Sequence, residues 1–436
     1  MSTTLDAPAG AESPGPSPAR RTTPLAWKLL KPLASLQLTV VLFGLSMVLV
    51  FFGTLAQVDN GIWTVVDEYF RSWYVKVPFK LIAMFGWKFF EVPGPEAGGN
   101  GPEAWTGTFP LPGGWLLGGV MLANLIAAHL VRFKLTWRRA GIITIHFGVI
   151  LMMVGELVTG LFAVESRMVL QVGEATNFID HSRKVELAFT DQSGHTITIP
   201  QGLLRAGNKI SLPELPVDVQ VLEYFKNTDL LPASGGNDLD GVVRFDGIRF
   251  KIVPTSEGSG VKSEREDSAA VKVKLLKKGT DEVLAERLLS LWQYDNYTGR
   301  QYLCILPEVT VDGKTYRVQL RNERIVKPYT VELNQFEHKQ YTGTQMAKDF
   351  ASTVHLVDPQ TGEDRLVRIS MNDPLRHRGE TFYQHQTIFG DTGTVLQVVK
   401  NPGWLLPYAS CVIVALGMFI HFGTNLVKFT SRRDAQ

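Results

Sequence analysis

Four long apolar runs interrupt an otherwise mixed sequence, and each is long enough to cross a bilayer as a helix, which takes about 20 residues. The runs are Leu33–Leu55, Gly114–Val131, Ala140–Phe162 and Trp404–Leu426. We call them spans one to four. The pattern therefore predicts a membrane protein with four transmembrane helices.

Lysine and arginine residues cluster at one end of every span. They precede span one, fill the loop between spans two and three, and follow span four (Arg20, Arg21, Lys28, Lys31; Arg132, Lys134, Arg138, Arg139; Lys428, Arg432, Arg433). Short loops rich in these residues stay in the cytoplasm when a membrane protein inserts. The distribution predicts that both termini are cytoplasmic and that residues 164–403 lie outside the membrane on the opposite side.

Between spans three and four, apolar and polar residues alternate in short runs, as in β-strands that bury one face. Asp–Gly turn signals at 240–241, 246–247 and 312–313 separate some of them. The runs are Lys184–Phe189, Thr196–Ile199, Val217–Tyr224, Val242–Val253, Ala270–Leu276, Tyr316–Leu320, Thr330–Leu333, Ser352–Val357, Thr381–His385 and Thr394–Val399. This predicts a large extracytoplasmic antiparallel β-rich domain, a sandwich or an open barrel, and a mixed α and β fold class for the whole protein.

The remaining segments have weaker patterns. Residues 1–32 are rich in Ala, Ser, Pro and Thr and predict a disordered cytoplasmic tail. The first apolar core is too long for a secretory signal. Within 57–112, the aromatic and basic stretch Trp63–Phe90 is too charged to span and predicts one or two interfacial helices, before a Gly/Pro-rich loop at 93–105. The predicted division is 1–32, 33–163, 164–403 and 404–436.

Charge and cysteine content exclude some functions. The formal net charge is +2, which gives no reason to expect a nucleic acid as partner. The two cysteines, Cys304 and Cys411, lie far apart, and the chain has no CxxC or CxxCH motif. A thiol oxidoreductase and a c-type cytochrome are therefore both poor interpretations. Both thiols are predicted to be inert, Cys304 because it lies between two apolar residues in a buried strand.

Three histidines lie inside spans, namely His129, His146 and His421. At about 1.5 Å of rise per residue, His146 is about 10 Å from Arg139, while His421 and His129 are about 10 Å and 5 Å from the basic residues that follow them. All three are predicted in the cytoplasmic half of the bilayer. Imidazoles are axial ligands of haem iron.

Each of these side chains also has a simpler interpretation. The His146 imidazole either ligates a haem or bonds a carbonyl of a neighbouring helix. His421 and His129 either ligate a haem or lie at headgroup depth near the helix ends. Glu156, near the outer face, either relays a proton, pairs with a basic group of a partner, or extends into the outer interface.

Small residues recur at helical spacing in two of the spans. Gly119, Ala123 and Ala127 follow one another every fourth residue on span two, and Gly148 and Gly155 are seven apart on span three. Small residues let two helices approach closely in a membrane. These positions therefore predict helix–helix contact faces.

The stretch RHRGETFYQHQ near the end of the β region is dense in polar groups. His377 and His385 either meet a haem or partner, or belong to two strands joined by an HRGE turn. Arg376 and Arg378 either pair with external carboxylates or serve that turn. Tyr383 is predicted to pack in the core, as aromatic strand residues usually do.

Three pieces of the chain resemble the ResB family, also called CcsB, of System II cytochrome c biogenesis. They are LASLQLTVVLFGLSMVLVFFGTLAQ; the pair NLIAAHLVRF and GIITIHFGVILMMVGELVTGLF; and MNDPLRHRGETFYQHQ followed by LQVVKNPGWLLPYASCVIVALGMFIHF. The resemblance runs from about Leu33 to Phe429 in the same order of parts. PLRHRGETFYQ is its most specific element.

The resemblance implies a subunit of a cytochrome c synthase in the bacterial cytoplasmic membrane. Such a subunit works with a ResC/CcsA-type membrane protein, and a thioredoxin-like protein keeps the apocytochrome c thiols reduced. The pair carries haem b across the bilayer and presents it for thioether attachment. The nine tryptophans here form no Trp-rich haem motif, so the chain resembles the ResB half alone and is not predicted to be catalytic by itself.

The same resemblance implies haem-binding residues. A histidine of the third span is regarded in this family as a ligand of the inner haem, and His146 matches it. His421 is the further candidate for haem binding within the chain. Two other classes remain open: a b-type electron-transfer anchor, which would be expected to carry histidine pairs at both faces, and a membrane-anchored sensory or scaffold protein.

Overall fold

Four long apolar helices form the membrane part of the computed structural model, as predicted. They are span one (Leu36–Ala56), span two (Gly114–Arg132), span three (Ala140–Phe162) and span four (Leu406–Arg433). The structure describes residues 30–58, 60–90, 105–132, 136–233, 241–245, 248–255, 267–293, 307–311, 313–343, 347–388 and 392–433. Most of the predicted N-terminal tail, Cys304 and most of the 93–105 loop lie outside them.

The chain passes up and down through these helices, so Arg132, Arg139 and Lys428 lie at one end of the bundle, which we call the basic end. At the other end, span three continues directly into strand β3 (Val164–Gln171), and strand β19 (Gly393–Lys400) leads back into span four. Val164 of β3 pairs with Lys400 of β19. The β domain is thus joined to the membrane by two adjacent helices that become two adjacent strands.

Spans three and four pack closely along a row of glycines. Gly141, Gly148 and Gly155 are buried at seven-residue spacing on one face of span three. A Cβ atom at these positions would lie within 3 Å of span four. It would be 2.5 Å from the backbone nitrogen of His421, 2.6 Å from Val414 Cγ2 and 2.9 Å from Leu406 Cβ, respectively. The contact predicted for Gly148 and Gly155 is confirmed, and Gly141 extends it.

Gly141→Ala is expected to lower the free energy of unfolding by about 1–3 kcal/mol, because the new methyl group meets the His421 backbone, which cannot rotate away. The measurement is thermal unfolding of the full-length protein in detergent. Gly118→Ala is the matched control, since no atom lies within 4 Å of its Cβ position, and alanine favours the helix. Equal stability of the two variants would contradict this account of the interface.

Spans one and two are joined by a polar contact. The Asn124 amide donates to the carbonyls of Leu33 and Ser35, and its oxygen accepts from the Thr39 hydroxyl at 2.7 Å. Of the predicted small-residue stripe, only Ala127 is buried; nothing lies within 4 Å of the Gly119 Cβ position, and Ala123 is exposed. Span two therefore bonds span one through Asn124, which lies outside the predicted stripe.

The described residues of the segment 57–112 fold over the end of spans one and two that is opposite the basic end. The segment has the two predicted helical pieces, a turn of helix Ile62–Val65 extended by a π-turn at Val66–Phe70, and the helix Phe79–Phe90. Strand β1 (Tyr74–Pro78) lies between the two helical pieces and pairs with β2 (Thr108–Pro112), which follows the second piece. The sequence did not indicate this pair of strands. Gly53 and Gly114 let this segment sit against the spans, since a Cβ on either would lie within 3 Å of Phe70.

The β domain is antiparallel throughout its named ladders, and ten of its described strands form one sheet in the order β16-β15-β14-β4-β3-β19-β18-β17, with β5 and β13 alongside β4 and β14. The remaining strands form two smaller sheets, β12-β11-β7-β6 and β8-β10-β9. The strands are β3 Val164–Gln171, β4 Ala175–Thr190, β5 Thr196–Pro200, β6 Lys209–Ile210, β7 Val217–Phe225, β8 Thr228–Pro232, β9 Val242–Phe245, β10 Ile248–Pro254, β11 Ala270–Lys277, β12 Val283–Ser290, β13 Glu308–Val311, β14 Lys314–Gln340, β15 Ala347–Asp358, β16 Glu363–Ser370, β17 Leu375–His377, β18 Glu380–Thr387 and β19 Gly393–Lys400.

Two apolar cores divide the domain into two lobes. The first lobe is built on β3 and β19 and is filled by side chains such as Met168, Phe382 and Leu396. The second is filled by side chains such as Phe189 and Val271. The long strands β4 and β14 run through both lobes and hold them together.

Nine of the ten predicted runs each lie within one strand, so the antiparallel β-rich domain is confirmed. The run Val242–Val253 is two strands, β9 and β10, that pair with each other. Strands β3, β6, β8, β12, β13, β16 and β17 were missed. The domain also contacts the segment 57–112, because the Arg183 guanidinium lies 4.1 Å from the centre of the Trp63 ring.

Candidate functional site

Two of the three intramembrane histidines meet near the basic end. The rings of His129 on span two and His146 on span three lie edge to face, with centroids 4.9 Å apart and an interplanar angle of 77°. Contact at this distance is typical of a packed aromatic pair. The Trp115 ring lies 3.6 Å from the Cβ position of Gly160 at the opposite end of the same two helices. Spans two and three therefore touch through aromatic side chains near both ends.

The tautomer of neutral His129 follows from its hydrogen bond. Its Nδ1 lies 2.8 Å from the Leu125 carbonyl oxygen, one helical turn earlier. A carbonyl only accepts, so Nδ1 carries the proton and donates it. This bond fixes the ring of His129 against its own helix, with the other nitrogen, Nε2, left as an acceptor.

His421 lies in a different environment. Its backbone packs against Gly141, and its ring contacts Phe422 and lies 3.2 Å from the Asn425 amide. At 3.6 residues per turn, the His146 side chain projects from span three at roughly 150° around the helix axis from the glycine face that packs on span four. The body of span three therefore separates His146 from His421, while His129 adjoins it.

The imidazole nitrogens of His129 and His146 are suitable ligands for haem iron, but the contact between the two rings limits how many ligands the pair can supply. Haem iron takes axial imidazoles readily. Rings in direct edge-to-face contact leave no space for a metal between them, so His129 and His146 cannot be the two axial ligands of one iron in this arrangement. No group of three or more metal-binding side chains occurs among the described residues. The pair therefore fits one axial ligand.

The RHRGETFYQHQ stretch forms a tight hairpin, which confirms the HRGE turn. Strand β17 pairs with β18, and His377 and Glu380 are the last pair before the turn. Arg378 and Gly379 both have positive φ, 48° and 75°. This is the geometry of a two-residue hairpin loop, and it is unusual for arginine. Another interaction must therefore hold Arg378 in place.

Asp358, at the end of β15, supplies that interaction. Its side chain is buried, and its two carboxylate oxygens accept from Arg378 Nε at 2.5 Å and Nη2 at 2.9 Å. The amides of Gln360 and Thr361 donate to the same carboxylate. The Arg378 guanidinium, followed by these amides and His377, holds the pKa of Asp358 well below its usual range. Asp358 is thus an ionised carboxylate inside the domain.

His377 joins the same network from the adjacent position. Its Nε2 lies 2.9 Å from an Asp358 oxygen and its Nδ1 lies 3.0 Å from a Glu363 oxygen. The Tyr329 ring packs edge to face on the His377 ring at 4.9 Å. Both nitrogens of His377 therefore bond within the chain.

Tyr329 links this network to a second buried ion pair. Its hydroxyl donates to Glu380 at 2.5 Å, and the Lys327 ammonium lies 2.5 Å from the other Glu380 oxygen. Burial, and then the hydrogen bond to Glu380, raise the pKa of Tyr329 far above its usual value. The phenol therefore stays protonated and keeps donating. Three acidic side chains, three basic side chains and a tyrosine form one network at the hairpin.

Three other residues of this stretch, Arg376, Tyr383 and His385, lie outside the network around Asp358. Arg376 lies over the ring of Trp404, 3.8 Å from its centre, at the start of the fourth predicted span. The prediction that Tyr383 packs in the core is wrong: it is exposed, and its neighbour Phe382 fills the core. His385 lies at a β-bulge, where desolvation and the Arg167 charge lower its pKa. His377 and His385 therefore do not act together.

Sequence reasoning missed Asp358, Glu363, Tyr329, Lys327 and Glu380 as members of this network. Asp358 ends an alternating strand just before a Thr–Gly turn, which gives only a weak signal. The partners are brought together by strand pairing between distant segments, which a single sequence does not reveal. The signal that was available is the arginine before Gly379, since hairpin loops favour Asn or Asp there.

The fold defines a four-span membrane protein with a β domain between its last two spans. Comparison with known proteins shows that residues 304–394 match the ResB-like family. The resemblance drawn from the sequence is thereby confirmed over this segment, which contains the hairpin and its network.

Two relatives are similar to this chain over about a quarter of its length. Protein NrfI of Wolinella succinogenes is 31% identical over 110 residues, which are 25% of this chain and 12% of NrfI. Cytochrome c biogenesis protein CcsB of Microcystis aeruginosa is 30% identical over 110 residues, 24% of this chain and 24% of CcsB. The aligned segment therefore spans a quarter or less of each relative.

Proposed function

We propose that this protein is the ResB-type, haem-handling subunit of a System II cytochrome c synthase. The observation that carries the proposal is the ResB-like match over the hairpin segment, together with a relative whose name is cytochrome c biogenesis protein CcsB. The subunit helps to carry haem b across the membrane and to present it to apocytochrome c, where the thioethers form. Its partners are a ResC/CcsA-type membrane protein, a thioredoxin-like thiol reductant and the lipid bilayer.

The proposed location is the bacterial cytoplasmic membrane. Because basic loops stay inside, the basic end of the bundle is cytoplasmic, both termini are inside and the β domain is outside. The His129–His146 pair then lies in the cytoplasmic half of the bilayer, within reach of haem that enters from the cytoplasmic side. The described residues of the segment 57–112 form an outer cover on spans one and two.

In this proposal His146 supplies one axial ligand to haem iron. The contact between His129 and His146 supports a single ligand from this pair, so the second comes from elsewhere, with the partner protein as the source. The residues of this chain bind and orient the haem and exclude water, and the chemistry of attachment belongs to the complex. The β domain, fixed to the membrane by β3 and β19, forms a wall beside the outer site.

The proposal is tested by expressing this chain with and without a ResC/CcsA-type partner in a bacterium that lacks its own cytochrome c maturation genes. We expect covalently bound haem in a reporter c-type cytochrome, detected by haem staining of denaturing gels, only when both proteins are present. A sensory or scaffold protein would give no covalent haem in any combination, and that result would overturn the proposal. The partner expressed alone is the control.

A further inference from the structure

His129 lies in direct contact with His146. The bond from its Nδ1 to the Leu125 carbonyl fixes its ring, and the fixed ring lies edge to face against His146, 4.9 Å away. Leu130, the next residue on the same helix, is 62% exposed. His129 is therefore a rigid group placed against the one imidazole that the proposed function assigns to haem.

We infer that His129 is a positioning residue that holds the His146 imidazole in the orientation in which it meets haem iron. The inference rests on the proposed function. The torsion that turns an imidazole about its Cβ–Cγ bond is broad, so a free ring samples many directions. Contact with His129 removes part of that range. Groups that orient a ligating histidine typically change metal affinity by about 10- to 100-fold when they are removed.

The test uses His129→Ala and His129→Phe in the full-length protein, purified with its partner. The readouts are bound haem per protein, the position of the Soret band and the midpoint potential of the haem. We expect His129→Ala to retain about tenfold less haem, with a shifted Soret band and potential. His129→Phe keeps a ring at the contact and is expected to remain within about twofold of wild type. Leu130→Ala is the matched control for a change on the same turn.

Three results would overturn the inference while the wild type binds haem. In the first, His129→Ala matches wild type in all three readouts. In the second, His129→Phe loses as much haem as His129→Ala, which would mean that a ring at this place does not suffice. In the third, added imidazole restores the spectrum of His129→Ala, which would make His129 a ligand. A wild-type complex without haem would instead remove the proposed haem site itself, and this inference with it.

Discussion

Replacing Asp358 with alanine is expected to lower the apparent Tm of the full-length protein in detergent by roughly 10 °C. The carboxylate is buried, and it accepts from Arg378 and from two backbone amides. Its removal leaves the guanidinium without its partner, and it releases an arginine whose positive φ is strained. This decrease in Tm should exceed the decrease caused by removing any surface ion pair. Thermal unfolding followed by circular dichroism measures it.

Asp364→Ala is the matched control for this variant. Asp364 bonds His355 at 2.6 Å, yet its side chain is 69% exposed, and exposed pairs contribute little to stability. We expect a Tm within a few degrees of wild type, roughly the scatter for surface substitutions. If Asp358→Ala unfolded at the same temperature as Asp364→Ala, the network would not stabilise the first lobe.

The same network predicts how stability depends on pH. The pKa of Asp358 is lowered in the folded state, chiefly by Arg378, so the folded protein binds fewer protons at this site than the unfolded chain. Its contribution is complete above the ordinary carboxyl pKa near 3.9 and is lost as the pH falls below it. The Tm difference between wild type and Asp358→Asn should therefore narrow below about pH 4. Parallel curves would contradict the lowered pKa.

The spans and most strands were predictable because their patterns are local. A run of apolar residues or an alternation of period two lies within one segment, and nine of the ten alternating runs each fell within one strand. The alternation fails in β14, where the pairing with β4 shifts register between Val326 and Val331. The sequence therefore showed two short strands where the structure has one, Lys314–Gln340. Phe382 and Tyr383 are adjacent aromatic residues, and the pattern did not decide which of them faces the core.

The candidate site was predictable in its residue types and not in its pairing. His146 was singled out from its depth in span three, and His421 has a similar depth in span four. The choice between His129 and His421 as its neighbour depends on which face of span three each helix covers. The face of span three that carries Gly141, Gly148 and Gly155 packs on span four, so His146 on the opposite face contacts His129 on span two. The rotation of span three about its axis is thus set by packing between helices that lie far apart in the sequence.

His146→Ala is expected to have the largest effect on haem binding. If His146 is an axial ligand, its removal should lower bound haem by more than about a hundredfold, since even groups that only orient ligands cost 10- to 100-fold. The visible spectrum of the protein purified with its partner should lose its bis-imidazole form, and added imidazole should restore it. An unchanged spectrum would show that the iron is ligated elsewhere, and the same loss in His421→Ala would move the site to the span-four side.

This variant separates ligation from folding because of where His146 lies. The face of span three that carries Gly141 and Gly148 packs on span four, and His146 is on the other side of the helix. Truncation of its ring therefore leaves that interface intact, and the Tm should change by only a few degrees, as for a half-buried site. Phe147→Ala, which removes an exposed ring from the next position, is the control for lost bulk. Haem lost from His146→Ala and kept by Phe147→Ala, at equal Tm, is the result that ligation by His146 requires.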